Sequence, residues 1–140
     1  MPPEQNKAIY RRIMEEVFGR GNIALADQLI AANYVEHETL PGLEPGLEGF
    51  KQMVTSFRAA FPDMRGTVED MVAEGEKVVG RYTMRGTHRG EFMGMAPTGK
   101  QVTVTGIDIL RFDRGKVVEH WGMADQMSMM QQLGAIPSQR

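Results

Sequence analysis

The sequence predicts an α+β domain in which helices pack on one face of a curved antiparallel sheet. Apolar side chains recur at helical spacing in the N-terminal part of the chain. From Arg65 onward the period changes to alternation, and β-branched residues form runs that turn residues separate. Helices first and an antiparallel sheet afterwards is the order typical of an α+β fold.

Length and composition limit the architecture and the kinds of partner. A chain of 140 residues with 41% hydrophobic residues is long enough for one core and too short for two, so we expect a single domain, 1–140. The net charge of −2 is spread along the chain, which favours neither nucleic acid nor an anionic membrane as partner. The absence of cysteine excludes disulfides, thiolate nucleophiles and cysteine-ligated metals.

The N-terminus shows no signal-peptide pattern, because "MPPEQNKAIYRR" has no apolar run. No stretch approaches the roughly 20 apolar residues that a membrane span requires. We therefore expect a cytoplasmic protein without membrane contact.

Three helices are predicted before residue 63. Apolar residues in 9–18 form one stripe that ends near Gly19. Asn22 is a candidate N-cap of a short helix that gives way to the extended segment "YVEHE". The prolines and glycines of "TLPGLEPGLEG" predict an irregular loop. From Glu48 to Pro62, apolar residues again recur at helical steps and predict the third helix.

The second half of the chain predicts a β-meander and one closing helix. Turns are expected at Gly75, in the glycine-rich segment "GTHRGEFMGMAPTGK", and at Arg114-Gly115, which suits a two-residue hairpin. After Asp125, "QMSMMQQLG" is compatible with a helix that ends at Gly134.

Pairing from the Arg114-Gly115 turn predicts which side chains share a face of the sheet. Counting outward sets Asp108 opposite Trp121, and alternation then places a mixed set on one face: Asp108, Leu110, Trp121, Met123 and Asp125. Ile109 and His120 fall on the other face. A β-bulge would exchange part of this assignment.

The predicted mixed face has the composition of a pocket wall. Carboxylates in an apolar cavity have raised pKa values because burial disfavours the charged form. Such groups can act as a general acid or base near neutral pH. Asp108 and Asp125 are therefore the catalytic candidates, and Trp121 can supply a flat binding surface and an N–H donor.

Several motifs, in this order, resemble the SnoaL-like polyketide cyclases, also called SnoaL-like ester cyclases. They are "FPDM", "GTHRGEFMGMAPTGK", "GIDILRF", "GKVVEHWGMAD" and "QQLG". The resemblance implies the cone-shaped α+β barrel of the nuclear transport factor 2-like superfamily, in which a bent antiparallel sheet and helices enclose one apolar pocket. It also implies an intramolecular aldol closure of a polycyclic methyl ester without metal or organic cofactor. By similarity, Asp125 would be the acid/base aspartate, and Arg111 lies near an assisting position.

The other candidate residues have structural alternatives. Asp125 is also a favoured N-cap for the helix that follows it. His37 is a candidate ligand contact or a satisfied structural histidine. His88 is a candidate for substrate contact or for fixing the glycine-rich loop. The methionines beside that loop and the wall, Met93, Met95 and Met123, are candidate pocket lining. Three histidines far apart in sequence predict no metal site.

Three functions are compatible with such a pocket. The first is a cyclase acting on a small hydrophobic or polycyclic ester or ketone. The second is an isomerase or epoxide hydrolase that uses Asp108 and Asp125 with Arg111, Arg81 or Tyr82. The third is a non-catalytic carrier, which is disfavoured because carboxylates in an apolar wall are costly. Apolar strand residues on the opposite face predict a homodimer: Ile107, Ile109 and Val118.

Overall fold

The structure, a computed structural model, describes residues 3–38 and 42–137. The α-helices are α1 (Pro3–Arg12), α2 (Ala26–Leu29), α3 (Gly46–Ala60) and α4 (Gln126–Leu133). Helix α1 continues as a π-helical segment over Ile13–Phe18, and a 3-10 turn at Ile23–Leu25 leads into α2. The strands are β1 (Ile30–Glu36), β2 (Arg65–Glu74), β3 (Lys77–Thr87), β4 (Gln101–Asp113) and β5 (Lys116–Ala124). None of the helices within these ranges is long and apolar enough to cross a membrane.

The five strands form one open sheet in the order β1-β5-β4-β3-β2. Strands β2 to β5 make the predicted antiparallel meander. Strand β1 differs from the prediction because it pairs in parallel with β5 at the sheet edge. A parallel pair needs a long crossover, which α3 and the meander supply. The predicted α+β class, with helices on one face of a curved sheet, is confirmed.

The core lies between the helices and the inner face of the sheet. In the first helical segment the buried residues follow the predicted stripe: Tyr10, Ile13, Met14 and Val17. Strand β4 alternates between buried and more exposed residues along its length, as a strand with one core face should. A second cluster, centred on Phe61, Phe92 and Met129, joins α3 and α4 to the far end of the sheet.

Two local predictions need correction. Asn22 occupies the predicted N-cap position, but its side chain makes no capping hydrogen bond. The segment predicted as an irregular loop already becomes helical at Gly46, because Pro45 at the N-cap ends the extended backbone and the left-handed φ of +71° at Gly46 turns the chain into α3. Residues 39–41 of that loop lie outside the described residues.

A β-bulge changes the predicted register of β4 and β5. Asp113 pairs with Lys116 and Phe112 with Val117 as expected, but the next pair is Arg111 with Glu119. Val118 is therefore the extra residue, and every later side chain of β5 changes face. His120 turns to the inner face of the sheet, while Trp121 and Met123 turn to the outer face.

Candidate functional site

A cavity of about 150 Å³ lies between the helices and the inner face of the sheet. Most of its lining is apolar, including Ile13, Phe50, Phe57, Leu110 and Met129. Four of its ionisable groups gather where β4 and β5 meet the end of β1: Glu36, Glu38, Asp108 and His120. Arg85 and Gln126 also belong to the lining. An apolar cavity with a few convergent polar groups is the usual form of a small-molecule site.

Asp108 is the centre of the polar end. It is only 7% exposed, and both of its carboxylate oxygens have donors. The Tyr10 hydroxyl donates to Oδ2 at 2.8 Å, and His120 Nε2 lies 2.7 Å from Oδ1. A buried carboxylate is stable only when such partners replace water.

His120 links Asp108 to a second carboxylate. Its Nδ1 lies 2.5 Å from Glu36 Oε2, and the parallel pairing of β1 with β5 places Glu36 directly beside it. The Tyr34 hydroxyl donates to the other oxygen of Glu36. We refer to Tyr10, Asp108, His120, Glu36 and Tyr34 as the inner network.

The inner network holds His120 in its charged form. Burial by itself would lower the pKa of His120, but the hydrogen bonds to Asp108 and Glu36 and the charges of both carboxylates outweigh burial and raise it to about 10. For Glu36, burial acts to raise the pKa, while the bonds from His120 and Tyr34 give a net lowering. At neutral pH the cavity therefore contains an imidazolium between two carboxylates.

Two tyrosines keep their protons at this end. The pKa of Tyr10 is raised by burial, by the charge of Asp108 and by the hydrogen bond to Asp108. The pKa of Tyr82 is raised mainly by burial and to a smaller extent by the charges of Asp108 and Glu38. Glycines on the facing strands make room for both rings. A Cβ at Gly80 would lie 2.2 Å from the Tyr10 ring, and one at Gly106 would lie 2.3 Å from the Tyr82 hydroxyl.

Three groups at the polar end are close enough to be considered as metal ligands. Potential ligand atoms of Glu36, Glu38 and His120 lie within 4.8 Å of one another. Both ring nitrogens of His120 are already hydrogen-bonded to carboxylates, however, and its raised pKa keeps the ring protonated. A metal binds the neutral imidazole, so the chemistry of this donor set favours a charged hydrogen-bond network over a metal centre.

The structure separates the two catalytic candidates. Asp108 lines the cavity, as expected of a site residue. Asp125 is exposed and lies at the N-cap of α4, where its carboxylate accepts the Ser128 N–H at 3.0 Å. The capping alternative is the one observed, and the predicted acid/base role does not fit because the carboxylate of Asp125 lies outside the cavity lining.

Four predicted binding residues lie on the outer face of the sheet instead of in the cavity. His37 stacks on Trp121 with ring centroids 4.9 Å apart. Arg111 and His37 both bond Glu119, at 2.9 and 2.7 Å. Met123 is 82% exposed. For Trp121 and Met123 the physical reason is the bulge at Val118, which reverses the faces that simple alternation predicts for β5. Arg111 and His37 lie on the outer face because they alternate along the chain with the inward residues Leu110 and Glu36.

The remaining candidates belong to the loop between β3 and β4. His88 is fully buried, and its Nδ1 accepts the Thr98 N–H at 3.2 Å, so it fixes the loop as its structural alternative predicted. Met93 is exposed, with a φ of +51°. Met95 packs against the second core cluster. None of the three is among the residues that line the cavity.

The sequence reasoning missed most of the inner network. Tyr10 was hidden within an apolar helical stripe. The alternation of "YVEHE" was a usable signal, because it places Tyr34, Glu36 and Glu38 on one face of an extended segment and Val35 and His37 on the other. His120 was assigned to the wrong face, since a bulge cannot be seen in the alternation of a single strand.

Comparison with known proteins identifies the family to which this chain belongs. The model of the SnoaL-like polyketide cyclases matches residues 8–133. The chain belongs to this family. Among curated SnoaL-like relatives, nogalonic acid methyl ester cyclase from Streptomyces nogalater is 28% identical over 86% of this chain and 92% of its own. Aklanonic acid methyl ester cyclase AcmA from Streptomyces galilaeus is 30% identical over 94% of this chain and 91% of its own.

Solved structures agree with this family. IdmH from Streptomyces antibioticus is 36% identical, with a TM-score of 0.81 over 93% of this chain and 99% of its own. TsrD from Streptomyces laurentii gives a TM-score of 0.89 at 25% identity, over 97% of this chain and 99% of its own. The nuclear transport factor 2-like fold is thereby confirmed, and the relatives support an enzyme with a cyclase role. The dimer and the cytoplasmic location stay predictions.

Proposed function

We propose that this chain closes a ring of a polyketide ester by an intramolecular aldol-type reaction, with general acid/base catalysis at the polar end of the cavity. The observation that carries the proposal is the position of Asp108, which is buried in the wall of an apolar cavity between the donors His120 and Tyr10. The aspartate on which turnover depends is thus Asp108 rather than Asp125.

The two ends of the cavity suit the two parts of such a substrate. The apolar lining accepts fused rings, and the polar end accepts the ester and ketone oxygens. An imidazolium fixed between carboxylates presents positive charge, and the protonated Tyr82 presents an O–H donor, where an enolate forms. Charge stabilisation by groups that are already in place is the largest contribution in many enzymes.

The size of the cavity also suggests how a polycyclic ester would bind. A cavity of about 150 Å³ holds about one benzene ring in an engineered protein. We therefore expect the reacting end of the substrate to enter the cavity and the remaining rings to extend toward its mouth. Ring closure moves a proton and forms a carbon–carbon bond within one molecule, so it needs no oxidant or reductant.

The test is turnover of aklanonic acid methyl ester, the compound class named for a relative. We expect the wild type to form a product of equal mass and Asp108→Asn to lose at least about 100-fold in kcat, because acid/base catalysis at this end, usually worth at least that factor, depends on the charges that Asp108 helps to hold in place. Asp125→Asn is the matched control and should keep wild-type turnover. Near-ultraviolet circular dichroism checks that both variants fold.

Two results would contradict this proposal. Full turnover by Asp108→Asn would remove the inner network from the reaction. Incorporation of oxygen from labelled water would indicate a hydrolase, because an aldol closure takes no oxygen atom from the solvent.

We also propose a homodimer through the outer face of the sheet. Three large apolar side chains on that face are exposed in the single chain: Val72, Ile107 and Met123. Apolar strand faces of this kind usually need a cover. Sedimentation equilibrium at micromolar concentration should give a dimer for the wild type and a monomer for Ile107→Glu. A monomeric wild type would overturn this assignment.

A further inference from the structure

Glu38 is a third carboxyl at the polar end that the predicted mechanism did not include. It follows β1 by two residues and lines the cavity with a half-buried side chain. Its Oε1 and Asp108 Oδ1 both lie 2.7 Å from the position that a Cβ on Gly122 would occupy. The absence of a side chain at Gly122 thus lets two carboxyl groups face the same small space.

The carboxyl of Glu38 differs from its neighbours in its hydrogen bonds. Asp108 accepts from Tyr10 and lies against His120, and Glu36 accepts from Tyr34 and lies against the other nitrogen of His120. Within residues 3–38 and 42–137, no donor bonds the side chain of Glu38. The oxygens of Asp108 and Glu36 are already engaged by these donors, so among the three carboxyls Glu38 is the best placed to bond a substrate.

The titratable groups around Glu38 lie on four strands. They are Tyr34 and Glu36 on β1, Tyr82 on β3, Asp108 on β4 and His120 on β5. Burial raises the pKa of Glu38, the His120 cation lowers it, and the charges of Asp108 and Glu36 raise it, with a net increase above the ordinary value. Of the two glutamates at this end, Glu36 has a lowered pKa and Glu38 a raised one.

We propose that Glu38 is the catalytic acid/base that exchanges the proton with the substrate, and that Asp108 acts as a positioning residue through His120. This inference rests on the proposed cyclase function and names the reacting group. The Glu38 carboxylate takes the proton from the carbon beside the ester carbonyl, and the electron pair of that C–H bond forms the enolate. The enolate carbon then bonds the ketone carbon, and the resulting alkoxide takes the proton back from Glu38.

The first experiment separates proton removal from ring closure. A β-keto methyl ester without the second ketone cannot close a ring, but it can exchange its α-proton for deuterium in D₂O, which NMR detects. We expect the wild type to accelerate this exchange, Glu38→Gln to lose at least about 100-fold, and Glu38→Asp to keep part of the rate. The exposed Glu44→Gln, from the same segment, is the control and should match the wild type.

The second experiment uses the pH dependence of ring closure. A base works only when deprotonated, so kcat/KM should rise with pH along a limb whose midpoint lies above the ordinary glutamate value of 4.5. In Glu38→Gln this limb should disappear, with kcat reduced and KM changed by less than about threefold. A residue with a merely structural role would not remove the limb.

The outcomes distinguish this inference from the proposed function. Ring closure at the wild-type rate by Glu38→Gln would overturn the role of Glu38 and leave the cyclase standing. Glu38-dependent exchange without ring closure of any methyl ester would overturn the cyclase and support Glu38 as a base. Exchange that is equal in the wild type and in Glu38→Gln would also overturn the role of Glu38.

Discussion

Two clusters of histidine and carboxylate lie on opposite faces of the same sheet, and they differ mainly in burial. In the inner network, the side chains of His120, Asp108 and Glu36 are 13%, 10% and 16% exposed. In the outer cluster, which consists of His37, Glu119 and Arg111, the exposed fractions are 40%, 20% and 38%. Glu119 and His120 are neighbours in sequence, so the local sequence is shared and the surroundings differ.

The comparison shows that ion pairs of similar length can have different roles. His120 lies 2.7 Å from Asp108, and His37 lies 2.7 Å from Glu119. Water and salt screen the outer pair, and pairs of this kind contribute little to folding. The charges of His120, Asp108 and Glu36 stabilise one another more strongly, because these side chains are largely shielded from water and a missing partner leaves a buried charge unpaired. The inner network therefore provides a fixed electrostatic environment, and the outer cluster forms part of a surface.

The largest expected difference between the clusters is in stability after loss of the histidine. His120→Ala leaves Asp108 and Glu36 buried without their cation, and we expect a loss of about 3 kcal/mol or more in the free energy of unfolding. His37→Ala should change that free energy by no more than the error of the measurement. Urea unfolding at pH 7 checks both. An equal loss in the two variants would show that burial does not separate the clusters.

A second, smaller effect is the pH dependence of stability. The pKa of His120 is raised from 6.5 to about 10 in the folded chain. Its stabilisation is therefore complete below pH 6.5 and is lost as the pH rises toward 10. Between pH 7 and pH 10 we expect the free energy of unfolding to fall by about 1 to 3 kcal/mol. Urea unfolding across this range checks the slope.

The control for this pH dependence is the loss of the titrating group itself. His120→Gln should remove most of the decrease, while His37→Gln should keep it. The opposite order would assign the effect to the outer cluster. Glu36 acts at the other end of the scale: its lowered pKa adds stability above the ordinary value of 4.5, and this is lost as the pH falls.

More of the fold than of the site could be predicted from the sequence. The spacing of apolar residues differs between helices and strands because each buries one face, so the three helices and the meander were recognisable from that spacing. The parallel pairing of β1 with β5 was not, because it joins segments that are distant in the chain. Tyr10 and Asp108 meet across 98 residues of separation, and no local pattern records such a contact.

The site assignment depended on one residue of register. Alternation along β5 placed Trp121 and Asp125 with Asp108, and the bulge at Val118 replaced them with His120. A bulge is set by how a curved strand meets both neighbours, so the alternation of β5 alone could not show it. The segment "YVEHE" offered a check, because glutamates that point inward need a buried hydrogen-bond donor or cation. His120 supplies that cation for Glu36.

The smallest expected effect concerns Asp125, a carboxylate that belongs to neither cluster. Among the described residues, its carboxylate accepts a hydrogen bond from the Ser128 N–H alone, at the start of α4, so its contribution should be that of an ordinary N-cap. Asp125→Ala should lower the free energy of unfolding by about 1 kcal/mol, and Asp125→Asn, which retains a capping oxygen, should be nearly neutral. Both should keep the pH dependence assigned to His120. A loss of that dependence in Asp125→Asn would mean that this exposed carboxylate is coupled to the inner network, and the buried charges would then not be independent of the exposed ones.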